Sequence, residues 1–160
     1  KRGYKNIEIA RLLDRDQRNI STLYSRVQKK LAQKPRGKKE LLIPVTVFKQ
    51  EISPAEALFR YLRENKKLKF NEIADLTNRS ESTIWTEYHN SINKMSESIK
   101  IEQTEIYVNI NIFSNRKLSI LESLVSCLKK RGYKNIEIAR LLDRDQRNIS
   151  TLYSRYRAKN

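Results

Sequence analysis

Cysteine, histidine, glycine and proline are all scarce in this chain of 160 residues. Cys127 is the only cysteine, so no internal disulfide framework can hold the fold. His89 is the only histidine, and one His with one Cys and no clustered carboxylates supports no metal site. Its place on a polar helix face reads as a solvated or hydrogen-bonding residue. With three glycines there is no Gly-rich phosphate loop, and neither a nucleophile elbow nor a paired-acid arrangement appears. The chain therefore reads as a non-enzyme, with no catalytic residues, no cofactor and no small-molecule substrate. No apolar run is long enough to cross a membrane, and no signal peptide is visible. Acidic residues are also few, 18 against 34 Lys and Arg, which leaves a formal net charge of +16 and a pI near 10.1. Such an excess points to a polyanionic partner, nucleic acid before an anionic membrane surface, because the apolar helix faces look committed to their own cores. A hydrophobic content of 38% is too high, and too periodic, for a disordered basic tail. Cys127 sits in an apolar run beside Leu124 and Leu128 and reads as a small core residue. That fits a reducing compartment and, with the charge, a cytoplasmic, nucleoid-associated protein.

What the chain does contain is a repeat. Lys1–Arg26, KRGYKNIEIARLLDRDQRNISTLYSR, returns unchanged as Lys130–Arg155. A weaker copy lies between them: Lys69–Leu76 aligns with Lys5–Leu12, and Ile84 with Ile20. Repeats define the unit to be explained, here an array of type A, type B, type A. Each such unit is near the size at which a domain is only marginally stable alone, so stacking between repeats can contribute.

Two copies have a leader. Ser53-Pro54-Ala55-Glu56 opens an apolar run through Leu58, Tyr61 and Leu62, and Ser119-Ile120-Leu121-Glu122 opens one through Leu124, Val125 and Leu128. Both are Ser-x-x-Glu capping boxes with helical spacing behind them, and Pro54 suits the first helical position. Lys129-Lys130-Arg131-Gly132 is a helix stop. The first copy begins at that stop, without a Met and without a leader helix, so Ile9, Leu12, Leu13 and Ile20 are expected to lack cover. The chain reads as a window on a longer array, or as one whose missing helix comes from a neighbouring chain. An engineered permutation or duplication is the alternative.

Within the perfect copy, Asn6–Leu13 is a short helix with Ile9, Leu12 and Leu13 on one face. Asp14-Arg15-Asp16 breaks it, and Asp16 caps a second helix from Gln17 with Ile20, Leu23 and Tyr24 at helical spacing. Small Ala10 permits a close crossing. This pattern resembles the helix-turn-helix of bacterial sigma-factor region 4 and of LuxR-type regulators, which share the Glu-Ile-Ala-x-Leu-Leu stretch, a turn, and an Ile or Val anchoring the recognition helix. The resemblance covers Asn6–Arg26, Phe70–Asn90 and Asn135–Tyr156. Asp14 and Asn78 stand where Gly is frequent, and Glu87 replaces Leu23 at a usually apolar position.

The resemblance implies a second helix in the DNA major groove, with its outward side chains at base edges and phosphates. In the first copy these are Gln17, Arg18, Asn19, Ser21, Thr22, Ser25 and Arg26; in the last, Gln146, Arg147, Asn148, Ser150, Thr151, Ser154 and Arg155. The middle copy offers Thr83, Thr86 and Asn90, has no Arg there, and carries Glu81, which repels phosphate. Trp85 is expected to pack against the strand or a neighbouring module, the alternative being a contact to a thymine methyl or a sugar. The flexible basic segment Gln28–Lys39 adds Lys29, Lys30, Lys34, Arg36, Lys38 and Lys39, which follow a phosphate backbone or enter a minor groove unless they form a solvated linker.

Leu42–Phe48 and Ile106–Phe113 alternate β-branched and other residues and read as strands that pair with each other or with another chain. Pro44 belongs at an edge or a strand start. The expected fold is mainly α, with tandem three-helix helix-turn-helix modules, each preceded by a short β-strand that pairs between modules or chains. The divisions are 1–30 (type A without its first helix), 31–40 (basic linker), 41–95 (strand plus type B), 96–104 (linker) and 105–160 (strand plus type A). The expected function is binding to double-stranded DNA in an architectural or coating role, or at repeated sites. The alternatives are a self-assembling structural repeat protein joined through strands 42–48 and 106–113, and a sequence-specific transcription regulator.

Overall fold

The computed structural model describes residues 6–32 and 40–159, with side chains from residue 7 to 25 and from 40 to 159. The chain is mainly helical with one small sheet, and it divides into two units, residues 1–39 and 40–160.

The N-terminal unit is a helical hairpin. Helix α1 (Asn6–Leu12) turns into α2 (Gln17–Ala32) through Asp14, whose φ is 48°. Asp tolerates this left-handed backbone because its short polar side chain bonds locally. The amide of Arg18 donates to Asp16 Oδ1 at 2.7 Å, so Asp16 caps α2 as expected. Ala10 and Ile20 are buried between the two helices. Ile20 therefore does not lack cover; the hairpin itself supplies it. Helix α2 also runs further than the sequence reading allows. Gln28–Ala32 is helical rather than part of a flexible basic segment, because Val27–Ala32 is rich in good helix formers and no Gly or Pro intervenes before Pro35.

The second unit contains two runs of the same plan. The first is β1 (Leu42–Pro44), a 3-10 turn Val45–Lys49, then α3 (Pro54–Glu64), α4 (Phe70–Thr77) and α5 (Glu81–Lys94). The second is β2 (Tyr107–Asn109), a 3-10 turn Ile110–Phe113, then α6 (Ile120–Lys130), α7 (Asn135–Leu142) and α8 (Gln146–Ala158). Both leader helices start with the capping box read from the sequence. Ser53 Oγ accepts from the Glu56 amide while Glu56 accepts from the Ser53 amide at 2.8 Å, and Ser119 and Glu122 do the same. Each box is locked to the far end of its run. Lys94 Nζ reaches Glu56 Oε1 at 2.6 Å, and Lys159 Nζ reaches Glu122 at 2.7 Å. Burial alone raises both carboxyl groups, but the ammonium partner and the serine cap outweigh it and hold each below the ordinary carboxylate value.

The strands pair with each other inside the chain, antiparallel, with Leu42 opposite Asn109, Ile43 opposite Val108 and Pro44 opposite Tyr107. They are only three residues long. The expected strands Leu42–Phe48 and Ile106–Phe113 are cut short because the chain coils after Pro44 and after Asn109. Proline fixes φ and has no N–H for the ladder, and Asn109 Oδ1 accepts from the Asn111 amide at 3.0 Å, which turns the backbone. Val45, Thr46, Val47 and Phe48 are all buried, so period-two alternation was the wrong guide: this segment is enclosed on every side.

The two runs share one core, which the division of the sequence at 96–104 does not convey. The 3-10 turn after β1 packs on α7 of the other run, the turn after β2 packs on α4, and α3 lies against α6. Phe48 and Phe113 meet with ring centroids 5.6 Å apart. Cys127 is half-buried at the edge of this core.

Candidate nucleic-acid interface

Helix α8 carries the polar strip that the sequence singles out. Its amide at Arg147 donates to Asp145 Oδ1 at 2.7 Å, repeating the cap of α2. The preceding turn passes through Asp143 at φ 51°, and Arg144 N reaches back to Ala139 O at 2.9 Å. These bonds close α7 tightly onto the start of α8. One face of α8, Ile149 and Leu152, is buried against α6 and α7. The opposite face leaves Gln146, Arg147, Asn148, Ser150, Thr151, Ser154 and Arg155 exposed. Arg147, Ser150, Thr151, Ser154 and Arg155 follow one another at helical spacing, so they lie along a single strip. No acidic side chain interrupts that strip.

The strip on α2 has the same sequence. Gln17, Arg18, Asn19, Thr22 and Ser25 are exposed and Ser21 is half-buried. Thr22 Oγ1 donates to Arg18 O at 2.8 Å, as Thr151 Oγ1 does to Arg147 O at 3.0 Å. Arg26, Lys29 and Lys30 are positions on α2 whose side chains lie outside the described residues. Lys34, Arg36, Lys38 and Lys39 lie outside them entirely.

Helix α5 is chemically different. Ser80 caps it, with the Thr83 amide donating to Ser80 Oγ at 3.2 Å and the two hydroxyls 2.6 Å apart. Thr86 Oγ1 donates to Ser82 O at 2.9 Å. Thr83, Thr86 and Asn90 are exposed, and Thr86 bonds back to its own helix as Thr22 and Thr151 do, so the difference lies in the charged residues: α5 has Glu81 and no Arg. Trp85 does not pack on the strand or a neighbouring module. It is 51% exposed, stacked on His89 with centroids 3.8 Å apart, while His89 Nδ1 lies 2.8 Å from Trp85 O. The expectation failed because Trp85 follows Ile84, the fully buried anchor, and the next position on a helix turns away from the core. Glu87, half-buried at the place of Leu23 and Leu152, has its carboxyl raised by burial and by the nearby Glu56 charge.

One residue beside the strip escaped the sequence reading. A recess of about 490 Å³ opens at the N-terminal ends of α7 and α8, lined by Asn135, Asp145, Gln146, Arg147 and Ser150. Asn135 Oδ1 is buried there without a hydrogen-bond partner. Its position as the first residue of α7 was visible in the sequence, but its nearness to α8 depends on how the two helices cross. Arg140 on α7 and Arg157 on α8 are further exposed guanidinium groups outside the predicted set. Among the described residues, no group of three or more His, Cys, Asp or Glu could hold a metal ion, and no helix is long and apolar enough to cross a membrane. No known protein family, curated protein or solved structure matches the chain.

Proposed function

We propose that the chain binds double-stranded DNA, with α2 and α8 as the groove-facing helices of helix-turn-helix modules and α5 as a supporting one. The supporting observation is the strip on α8: an Asp-capped helix, anchored by Ile149 and Leu152, whose whole outward face is Arg, Asn, Gln, Ser and Thr. Arg suits guanine and Asn or Gln suits adenine by paired hydrogen bonds, while Ser and Thr suit phosphates. Two identical strips on one chain suit repeated sites or a DNA-coating role, and the net charge of +16 supplies the sequence-independent attraction. Helix α5, with no Arg and with Glu81 at its start, contributes architecture.

The test is fluorescence anisotropy on a random-sequence duplex and its matched single strand across a salt series. Duplex binding should weaken with salt at a log–log slope of about −0.9 per phosphate contact. Replacing Arg18 and Arg147 together by Ala should weaken duplex binding and flatten that slope. Unchanged affinity in the double variant would remove groove insertion by α2 and α8.

A further inference from the structure

The middle run differs from the C-terminal run at three matched positions. Phe70 stands in α4 where α7 has Asn135, and Trp85 and His89 stand in α5 where α8 has Ser150 and Ser154. Each exchange puts a ring in place of a hydrogen-bonding side chain. The rings meet in a row. Trp85 and His89 stack with centroids 3.8 Å apart, Tyr88 meets His89 edge-on at 5.3 Å, and Phe70 meets Tyr88 edge-on at 5.5 Å. Trp85 is half exposed, and Phe70, Tyr88 and His89 are half-buried, so every member of the row reaches solvent. Ile73 and Ile84 of the same two helices are fully buried and fill the core, so the core does not call for these rings.

Cations flank the Phe70 end. The Arg63 guanidinium lies 4.8 Å from the centre of the Phe70 ring, and Lys66, Lys67 and Lys69 are exposed in the turn just before it. Two carboxylates of the same helices are engaged: Glu64 pairs with Arg60 at 3.1 Å, and Glu72 accepts from the Lys69 amide at 3.0 Å. Exposed Glu81, one turn before Trp85, gives the far end the opposite charge. An aromatic row with a cationic border is the combination that holds a single strand, because bases stack on the rings while phosphates follow the cations. Duplex DNA fits it poorly, since its bases are already stacked on each other. A second copy fits it poorly too, since it would bring the same lysines and arginine against these.

We infer that the row Trp85, His89, Tyr88 and Phe70 binds the unpaired bases of a DNA strand. Binding is indifferent to sequence, because every base has a π-face. The choice of DNA over RNA rests on the duplex binding proposed for α2 and α8; the stacking surface itself stands without it. On this reading the chain holds a duplex on its arginine strips and an opened strand on α5.

Trp85 is the only tryptophan, so its fluorescence reports on this surface alone. Titrating the full chain with an oligothymidylate should quench it saturably, and a blunt duplex of the same length should not. By anisotropy of the labelled oligothymidylate, Trp85→Leu should weaken binding by about tenfold, the scale of one lost base stack, while Trp85→Phe should keep most of it. Trp85 is half exposed, so both variants should keep the circular dichroism spectrum. The Arg18 and Arg147 double variant should keep the quench, which separates this surface from the duplex-binding helices. The proposal falls if the oligothymidylate leaves Trp85 fluorescence unchanged, if Trp85→Leu binds as well as Trp85→Phe, if the duplex quenches as strongly as the single strand, or if the arginine variant loses the quench. Tighter quenching by an oligouridylate overturns the choice of DNA. A Trp85 emission that moves to the blue with protein concentration alone also overturns the proposal, because the face then belongs to a second copy.

Discussion

The same twenty-six residues occur twice in this protein and end in two different states of burial. At the C-terminus, Leu142 and Leu152 are core residues; at the N-terminus, Leu13 and Leu23 face outward. Local features do not differ: both copies have the aspartate cap, the left-handed turn and the buried alanine and isoleucine of the crossing. Hairpin geometry is thus a property of the repeat, whereas the core is a property of what lies over it.

The comparison is broken most directly by paired truncations. Leu142→Ala should cost about 2–5 kcal/mol of the second unit's stability, the range for a fully buried leucine. Leu13→Ala should cost under about 0.5 kcal/mol, as for a surface site. Urea unfolding of the two variants measures both; equal costs would mean that Leu13 is covered in solution. Next, Glu122→Gln should destabilise the second unit by about 1–3 kcal/mol, since it leaves Lys159 without its carboxylate and weakens the cap. Because Glu122 titrates below its ordinary value in the fold, its contribution is present above the unfolded-state value and is lost as pH falls through the folded one. A urea series from pH 6 downward, about where carboxylates begin to protonate, should show a shallower loss in the Gln variant.

Glu87→Leu restores the apolar residue of the type A copies and should stabilise the middle run by about 1 kcal/mol. Here the sign reverses. Glu87 titrates above its ordinary value in the fold, so its favourable contribution belongs to low pH and is lost as pH rises through the folded value. The gain from Leu should therefore be larger at neutral pH than in acid, and a pH-independent gain would contradict the burial cause. A purely backbone effect is expected at Gly132, which has φ +94° with open space around its missing Cβ. Gly132→Ala should lower thermal stability by about 1 kcal/mol through backbone strain alone.

Elements with a local cause were legible in the sequence. Ser53, Glu56, Ser119 and Glu122 announced two capping boxes, Gly132 a helix stop, and Asp16 and Asp145 two N-caps, all decided within four residues of chain. The outward strip of α8 was legible for the same reason, since helical spacing alone separates it from Ile149 and Leu152. What depended on distant chain was not. The segment after Pro44 is enclosed by α3 and by α7, nearly a hundred residues away in the latter case, so its burial on every side had no local signal. Asn135 meets the start of α8 only because of a helix crossing. Trp85 was expected to pack against the strand or a neighbouring module, but its neighbour Ile84 holds the buried position and Trp85 is half exposed. Asp14, Asn78 and Asp143 all hold φ near +50°, a left-handed backbone that Asn and Asp tolerate better than other side chains.

Reciprocal packing between the two runs of the second unit has a symmetry consequence. The 3-10 turn of each run lies on a helix of the other, and the strands meet antiparallel. An interface in which each side offers the same elements is isologous, the arrangement of a two-fold dimer. This protein holds such a dimer inside one covalent chain, where the halves cannot part and their effective concentration is set by the connection 95–106. A true homodimer must carry every substitution twice. A fused pair is released from that constraint: α5 carries no arginine and has half-buried Glu87 where α8 has its arginine strip and buried Leu152.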